Sequence, residues 1–530
     1  MPSTYSGRSS SGKRDHQLGP WVSGVAYNKA VEDVGETEVA SMSNIELDTS
    51  GELKKRLGTA SYNSEAPISG TPTVTFCGEF LIPPSDTPEV VVIAGNKAYR
   101  HTGSAWADIT NSLTISTTDD HTFVGAADPV EGILYVTNGV DGQIFQKTGT
   151  GNFVAADVNS QFTEAETVAF YDGRVWWGNT GHSTGPVITY DRVYFSEIND
   201  GTDIPSTNFF SVPSPIRAMV PMRDSLAVHT LNGIFTFTPT GNISARYQRE
   251  KIATIGTVSK RGVALLPGDV QLFIRREGIY ALAGGDAEKI SGALDGGYWP
   301  HINKDRLIHS FALYYPEKDQ TWFWLPYGAT QTEMNHIMIW SGAHKAFFGP
   351  YEGGSVFTRN CAGLIGGKPH AGTHDSSGSI GGTVQDHQPA DTYNDDDNSS
   401  TGTAIKSYFK TGAPAPEGSA NTVRWLYART YYDALGEVSI TVEQESSGVA
   451  AAVQTFTGHG LSAGLDASKL DEMSLGSLRM LSIDTAMTGY DPHSSLRFSN
   501  SAVDASFTIR RAHPVYRDIG PVRRRKAGVE

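Results

Sequence analysis

The sequence predicts an all-β protein: a β-propeller of six or seven small sheets followed by a β-sandwich-like domain. Three observations carry this prediction. Gly and Pro fill 83 of 530 positions, a share that favours turns over long helices. Helical periodicity is nearly absent, the best amphipathic stretch being the short Ala467–Leu475,. And one phrase recurs, a β-type run, then a turn, then an apolar residue followed by an aromatic.

The phrase reads Gly95-Asn96-Lys97-Ala98-Tyr99, Asp141-Gly142-Gln143-Ile144-Phe145, Asn232-Gly233-Ile234-Phe235 and Glu277-Gly278-Ile279-Tyr280. Gly or Asn supplies the positive φ that a tight hairpin turn requires. Weaker copies fall at Val193-Tyr194, Ile339-Trp340 and Ser379-Ile380. Taking Ala98, Ile144, Val193, Ile234, Ile279, Ile339 and Ile380 as phase markers, the gaps are 46, 49, 41, 45, 60 and 41 residues, with a mean of 47. Four-stranded propeller blades repeat at about 40 to 50 residues. Strand pairs such as Val168–Tyr171 with Arg174–Trp177 fill the intervals. Residues 66–380 are therefore expected to form the propeller, which hides strand edges that a row of free hairpins would leave open.

Residues 1–65 read as an N-terminal arm. They hold no apolar stretch long enough for a signal-peptide core, and no apolar run in the chain approaches the roughly 18 residues needed to span a bilayer. Cys77 and Cys361 stand 284 positions apart without metal-type spacing, and are expected to be two buried thiols in a protein made in a reducing cytoplasm. Residues 381–404 read as a polar acidic linker. Its run Asp395-Asp396-Asp397 lacks the closing Glu of a calcium loop, so a solvated segment is expected. Alternation resumes from Ile405 through Arg424–Tyr432 and Val438–Val442 to Ala505–Ile509, and 405–520 is expected to be the sandwich-like domain. The basic tail 521–530 follows.

Candidate chemistry is sparse. Gly181-His182-Ser183-Thr184-Gly185 has the G-x-S-x-G spacing, but Pro186 and a strand-like run follow where a nucleophile elbow needs a helix. His370 and His374 with Asp375 have a zinc-like spacing, but they sit among Gly, Pro and Ser rather than on a helix. No Gly-rich phosphate loop precedes a helix. The expectation is a protein without catalytic residues, metal or cofactor.

The net charge of −15 is unevenly spread. Residues 1–20 carry +2 and residues 521–530 carry +3, leaving −20 on the body. An acidic body disfavours tight sequence-independent binding of nucleic acid, because each phosphate contact needs a Lys or Arg. The basic ends, Arg8–Arg14 and above all Arg523, Arg524, Arg525 and Lys526, are candidates for subunit docking.

Four stretches, in chain order, resemble the tail nozzle and packaged-DNA stabilisation (head-to-tail completion) proteins of short-tailed bacteriophages. Asn44–Gly58 is similar to the family's N-terminal G-x-L-x-K-R-P-G signature, with Leu57 where Pro is usual. Ile255–Gly262 with Leu272–Gly285 resembles its blade ending in a Gly-Ile/Val-Tyr hairpin. Ile337–Trp340 with Gly349–Tyr351, and Tyr408–Thr411 with Arg424–Tyr427, resemble its later blades and C-terminal sheet.

The resemblance implies a virion tail protein assembled in the host cytoplasm as a homohexameric ring. Such a ring sits below the head-to-tail adaptor, beside tail fibres or spikes, and genomic DNA passes its lumen toward the host envelope without sequence-specific binding. Two other classes fit the same composition: a receptor-binding or glycan-cleaving tail protein, and a cellular propeller serving as an interaction module.

Overall fold

The computed structural model describes residues 13–83, 86–158, 161–162, 164–180, 190–242, 245–374, 381–390, 392–397, 402–413, 415–416, 421–435, 437–446, 449–459, 481–488, 490–502 and 505–521. The protein is all-β, and no α-helix occurs among the described residues.

Among the described residues, seven four-stranded antiparallel sheets follow one another as propeller blades. Blade 1 runs from strand Val74–Ile82 to Trp106–Asp108, blade 2 from Val124–Asp128 to Phe153–Ala155, and blade 3 from Thr167–Tyr171 to Phe209–Ser211. Blade 4 runs from Ile216–Pro221 to Tyr247–Ala253, blade 5 from Val263–Leu266 to Glu288–Lys289, and blade 6 from Phe311–Tyr315 to Ala346–Tyr351. The recurring phrase marks one place in this repeat. Ala98, Val193, Ile234, Ile279 and Ile339 all lie in the third strand of their blades, and Ile144 immediately precedes it in blade 2. Ile380 lies outside the described residues. The long gap between Ile279 and Ile339 holds an insertion of three 3-10 turns, Ser291–Leu294, Trp299–His301 and Leu307–His309.

Blade 7 closes the ring from both ends of the propeller sequence. Arg359–Ile365, Lys368–Thr373 and Val384–Asp386 form its first three strands, and Ala60–Ser61 supplies the fourth, with Gln385 opposite Ser61 and Asp386 opposite Ala60. This pairing covers the outer edge of the third strand, whose N–H and C=O groups would otherwise lack partners.

Two further sheets form the sandwich. One has the order Ile45–Leu47, Leu53–Lys55, Ser506–Pro521, Asn421–Leu435, Leu481–Ala486, with Arg14–Asp15 also pairing along Ser506–Pro521. The other has the order Val39–Ser43, Ser407–Thr411, Ser495–Asn500, Glu437–Ser446, Val449–His459. Their facing sides bury Phe409, Phe498 and Ile440 against Trp425, Ile509 and Ala512. The expected N-terminal arm is thus built into the fold: it contributes strands to both sandwich sheets and the closing strand of blade 7. Segments this short carry too little alternation to be told from loop in a sequence.

The expected linker 381–404 is also structured. Val384–Asp386 belongs to blade 7, and Asn394–Asp395 pairs with Thr403–Ala404. Asp395, read as solvated, is 1% exposed because Arg56 neutralises it. Asp396 accepts a hydrogen bond from Ser61 Oγ at 2.5 Å, so the acidic run fastens the closing strand of the ring.

One apolar core is continuous from blades 5 and 6 into the sandwich. Trp21 packs edge-on against Phe409 with ring centres 5.2 Å apart, while the Val25 N–H donates to the Phe347 carbonyl of blade 6. Burying such large side chains contributes about 2 to 3 kcal/mol each relative to exposure.

Candidate functional site

The site lies on the propeller axis and is built from the segment entering blade 5. Thr257 and Ser259 are fully buried and fold Thr257–Gly262 into a fixed turn. Thr257 Oγ1 donates to the Ile274 carbonyl at 3.1 Å and receives the Ser259 N–H at 3.3 Å. Ser259 Oγ donates to the Ser310 carbonyl and receives the Arg261 N–H at 3.3 Å. Such side-chain-to-backbone bonds stabilise turns where regular structure would orient the residues differently.

The turn projects Lys260 and Arg261 across the ring. Lys260 Nζ donates to the Asn138 carbonyl, next to blade 2, at 3.2 Å. Arg261 Nη2 donates to the Asn360 carbonyl of blade 7 at 2.7 Å, and its guanidinium lies 4.9 Å from the centre of the Phe311 ring. Burial lowers the Lys260 ammonium to about 8, with Glu166 and Asp141 opposing the shift and Arg261 adding to it. Burial likewise lowers Arg261 to about 10.

Two cavities meet at Lys260. The first, about 390 Å³, is mixed in charge, with Asp120, Glu166, Asn179, Arg217 and His309 in its walls. Asp120 is clamped by Arg306, with Nη1 donating to Oδ2 at 3.0 Å, and that hydrogen bond holds its carboxyl below the usual carboxylate range. His309 is lowered to about 4 by burial. The second, about 330 Å³, is lined mainly by the first strands of blades 1, 2, 5, 6 and 7, with Phe76, Phe80, Phe123, Phe311 and Arg261 in its walls.

Cys77 and Cys361 lie in the wall of this second cavity with sulfurs 3.6 Å apart. Both are free thiols and buried. Burial opposes ionisation of Cys361, but hydrogen bonding to Cys77 and the charge of Arg261 outweigh it and lower its pKa. Cys77 is pushed up, first by the hydrogen bond with Cys361 and then by burial.

The other candidates scatter. His370 Nδ1 lies 3.1 Å from the Lys368 carbonyl and its ring packs edge-on against Tyr62. His374 instead faces Asp119 at 3.4 Å and Glu333 at 3.7 Å. His370 lies in strand Lys368–Thr373 and His374 just beyond its end, the two rings have different partners, and no group of three or more metal-type ligands occurs among the described residues. Gly181–Gly185, Asp375 and the docking candidates Arg523, Arg524, Arg525 and Lys526 lie outside the described residues. Of the basic N-terminal segment, Arg14 pairs with Tyr516 of the protein's own sandwich, while Lys13 sits 5.7 Å from the centre of the Tyr427 ring.

Sequence reasoning passed over Lys260 and Arg261 as functional residues. Two adjacent cations ordinarily mark a solvated face; the hint here is their place between two buried hydroxyl residues and a strand.

No family model matches the chain, and no curated protein matches its sequence. Among solved structures, a streptogramin B lyase is 11% identical, with a TM-score of 0.41 over 62% of this chain and 97% of that one. The virginiamycin B lyase from Staphylococcus aureus is 12% identical, with a TM-score of 0.41 over 62% and 98%. A gluconolactonase from Xanthomonas campestris is 9% identical, with a TM-score of 0.32 over 55% and 96%. The likeness is one of fold alone.

Proposed function

We propose that this chain is a virion structural protein that forms the distal tail nozzle of a short-tailed phage, retains the packaged DNA and conducts it during ejection, with a structural rather than catalytic role. The observation that carries the reading is a convergence. The four stretches that resemble the nozzle family, far apart in sequence, all contribute to the one core that joins propeller and sandwich: Ile45 and Leu53, Leu272 and Ile279, Ile339 and Tyr351, Phe409 and Trp425.

Two physical features agree with it. Among the described residues, Lys260, Arg261 and aromatic rings stand on the propeller axis beside cavities of about 390 and 330 Å³, too small for a duplex, so in this reading the DNA conduit runs between subunits of a ring. A net charge of −20 on the chain between its basic ends is compatible with a lumen whose walls repel phosphate and let a duplex slide. In this reading the partners are further copies of the chain in a hexamer, the adaptor above, and tail fibres or spikes beside it.

Virions assembled without the protein test the reading. They should package DNA and then lose it, and their tails should end at the adaptor. Particles that keep their DNA and a full-length tail would contradict it.

A further inference from the structure

We propose that the central cavity of the propeller, where Lys260 and Arg261 emerge side by side, binds a small oxyanion, a carboxylate or a phosphate. The inference does not depend on the tail-nozzle reading.

Buried charges in proteins are paired or otherwise compensated, because moving an unpaired ion out of water costs several kcal/mol. Among the described residues, neither Lys260 nor Arg261 is in an ion pair; the side-chain hydrogen bonds of both go to backbone carbonyls. Arg261 Nη1 is buried without a hydrogen-bond partner; Asn138, whose carbonyl holds Lys260, belongs to the wall of the other cavity. Lys260 and Arg261 both line a cavity of about 330 Å³, ample for a dicarboxylate or phosphate, and Arg261 Nη1 brings an unfilled donor to it.

The surrounding charges leave this position to a ligand. Glu166, in the wall of the other cavity, and Asp141 both act on Lys260, and neither lines this one. Glu79, which does line it, accepts the Gly366 N–H at 2.5 Å, while His309 offers Arg261 its backbone carbonyl. Cys77 and Cys361 are the remaining titratable groups facing Arg261. The walls of Phe76, Phe80, Phe123 and Phe311 lower the local polarity, which strengthens a charge-assisted hydrogen bond. The rigid turn Thr257–Gly262 presents both donors already oriented, so little ordering cost opposes binding.

Calorimetric titration of the full chain with sodium succinate and with sodium phosphate, each against sodium chloride at matched ionic strength, tests the proposal. The expected result at pH 7 is saturable binding of one anion per chain. Affinity should fall on the order of tenfold in Arg261→Gln and in Lys260→Met, the loss expected for one charge-assisted contact. Wild-type affinity for succinate should also fall as pH rises from 7 to 9 and Lys260 loses its proton. If Arg261→Gln fails to fold, Lys260→Met and the wild-type pH series still decide. Absence of saturable binding, or binding indifferent to both pH and these substitutions, overturns the proposal. Binding of succinate alone or phosphate alone identifies which oxyanion the site takes.

Discussion

Arg56 and Asp395 form a two-pronged ion pair across 339 residues of sequence, Nη1 to Oδ1 at 2.8 Å and Nη2 to Oδ2 at 2.6 Å. Their side chains are only 2% and 1% exposed. Arg56 Nε also donates to Asn44 Oδ1 at 2.7 Å, and the guanidinium lies 4.7 Å from the centre of the Phe357 ring. The pair ties the end of the sandwich's N-terminal strands to the hairpin that fastens blade 7. Removing one partner leaves an uncompensated buried charge, so Arg56→Met or Asp395→Asn should each cost about 3 to 5 kcal/mol in urea unfolding. The double variant should cost less than the sum of the two.

Gly58 makes a separate prediction two residues on. A Cβ there would stand 1.8 Å from the Asn394 carbonyl oxygen, whereas one on Gly292 would meet nothing within 4 Å. Gly58→Ala should destabilise by roughly 2 kcal/mol or more, and Gly292→Ala should stay within about 0.5 kcal/mol of wild type. Thermal unfolding of the two variants compares them directly.

The thiol pair tests the ring closure. Cys77 sits on the first strand of blade 1 and Cys361 on that of blade 7, so their 3.6 Å approach spans the seam between the first and last blades. With a small-molecule disulfide as oxidant, the Cys361 thiolate attacks one sulfur and expels a thiol. Cys77 then gives up its proton and displaces the second thiol, leaving an intramolecular disulfide. Thiol titration of the denatured product should find no free cysteine, and intact mass should fall by two hydrogens. Two titratable thiols after treatment of the native protein would mean that the seam holds them apart.

Acid stability follows from buried histidines. His229 is 0% exposed, its Nε2 lies 2.5 Å from Gln271 Oε1, and burial lowers it to about 4, as burial lowers His309 to about 4. Folding favours the neutral rings, so the unfolded chain binds more protons below its own pKa near 6.5. This contribution to stability is complete above that pH and is lost as pH falls toward and through 4. Urea midpoints should decline steadily from pH 6.5 to 4, and His229→Gln should make the decline shallower.

Much of the propeller was legible because its repeat is periodic. Ala98, Val193, Ile234, Ile279 and Ile339 occupy equivalent strands, and a Gly or Asn turn announces most of them. The closing strand Ala60–Ser61 was not, since two residues have no period. Asp395 was misread because three consecutive aspartates look solvated until Arg56, remote in sequence, is folded onto them. The axial site was hidden for the same reason: Lys260 and Arg261 contact carbonyls 122 and 99 positions away, and the adjacency of Cys77 and Cys361 leaves no trace in their spacing.

Mass photometry of the purified protein, alone and with its head-to-tail adaptor, tests the nozzle reading most directly. A ring of six chains that forms on, or is stabilised by, the adaptor is the predicted result. A chain that stays monomeric and never joins the adaptor would contradict it.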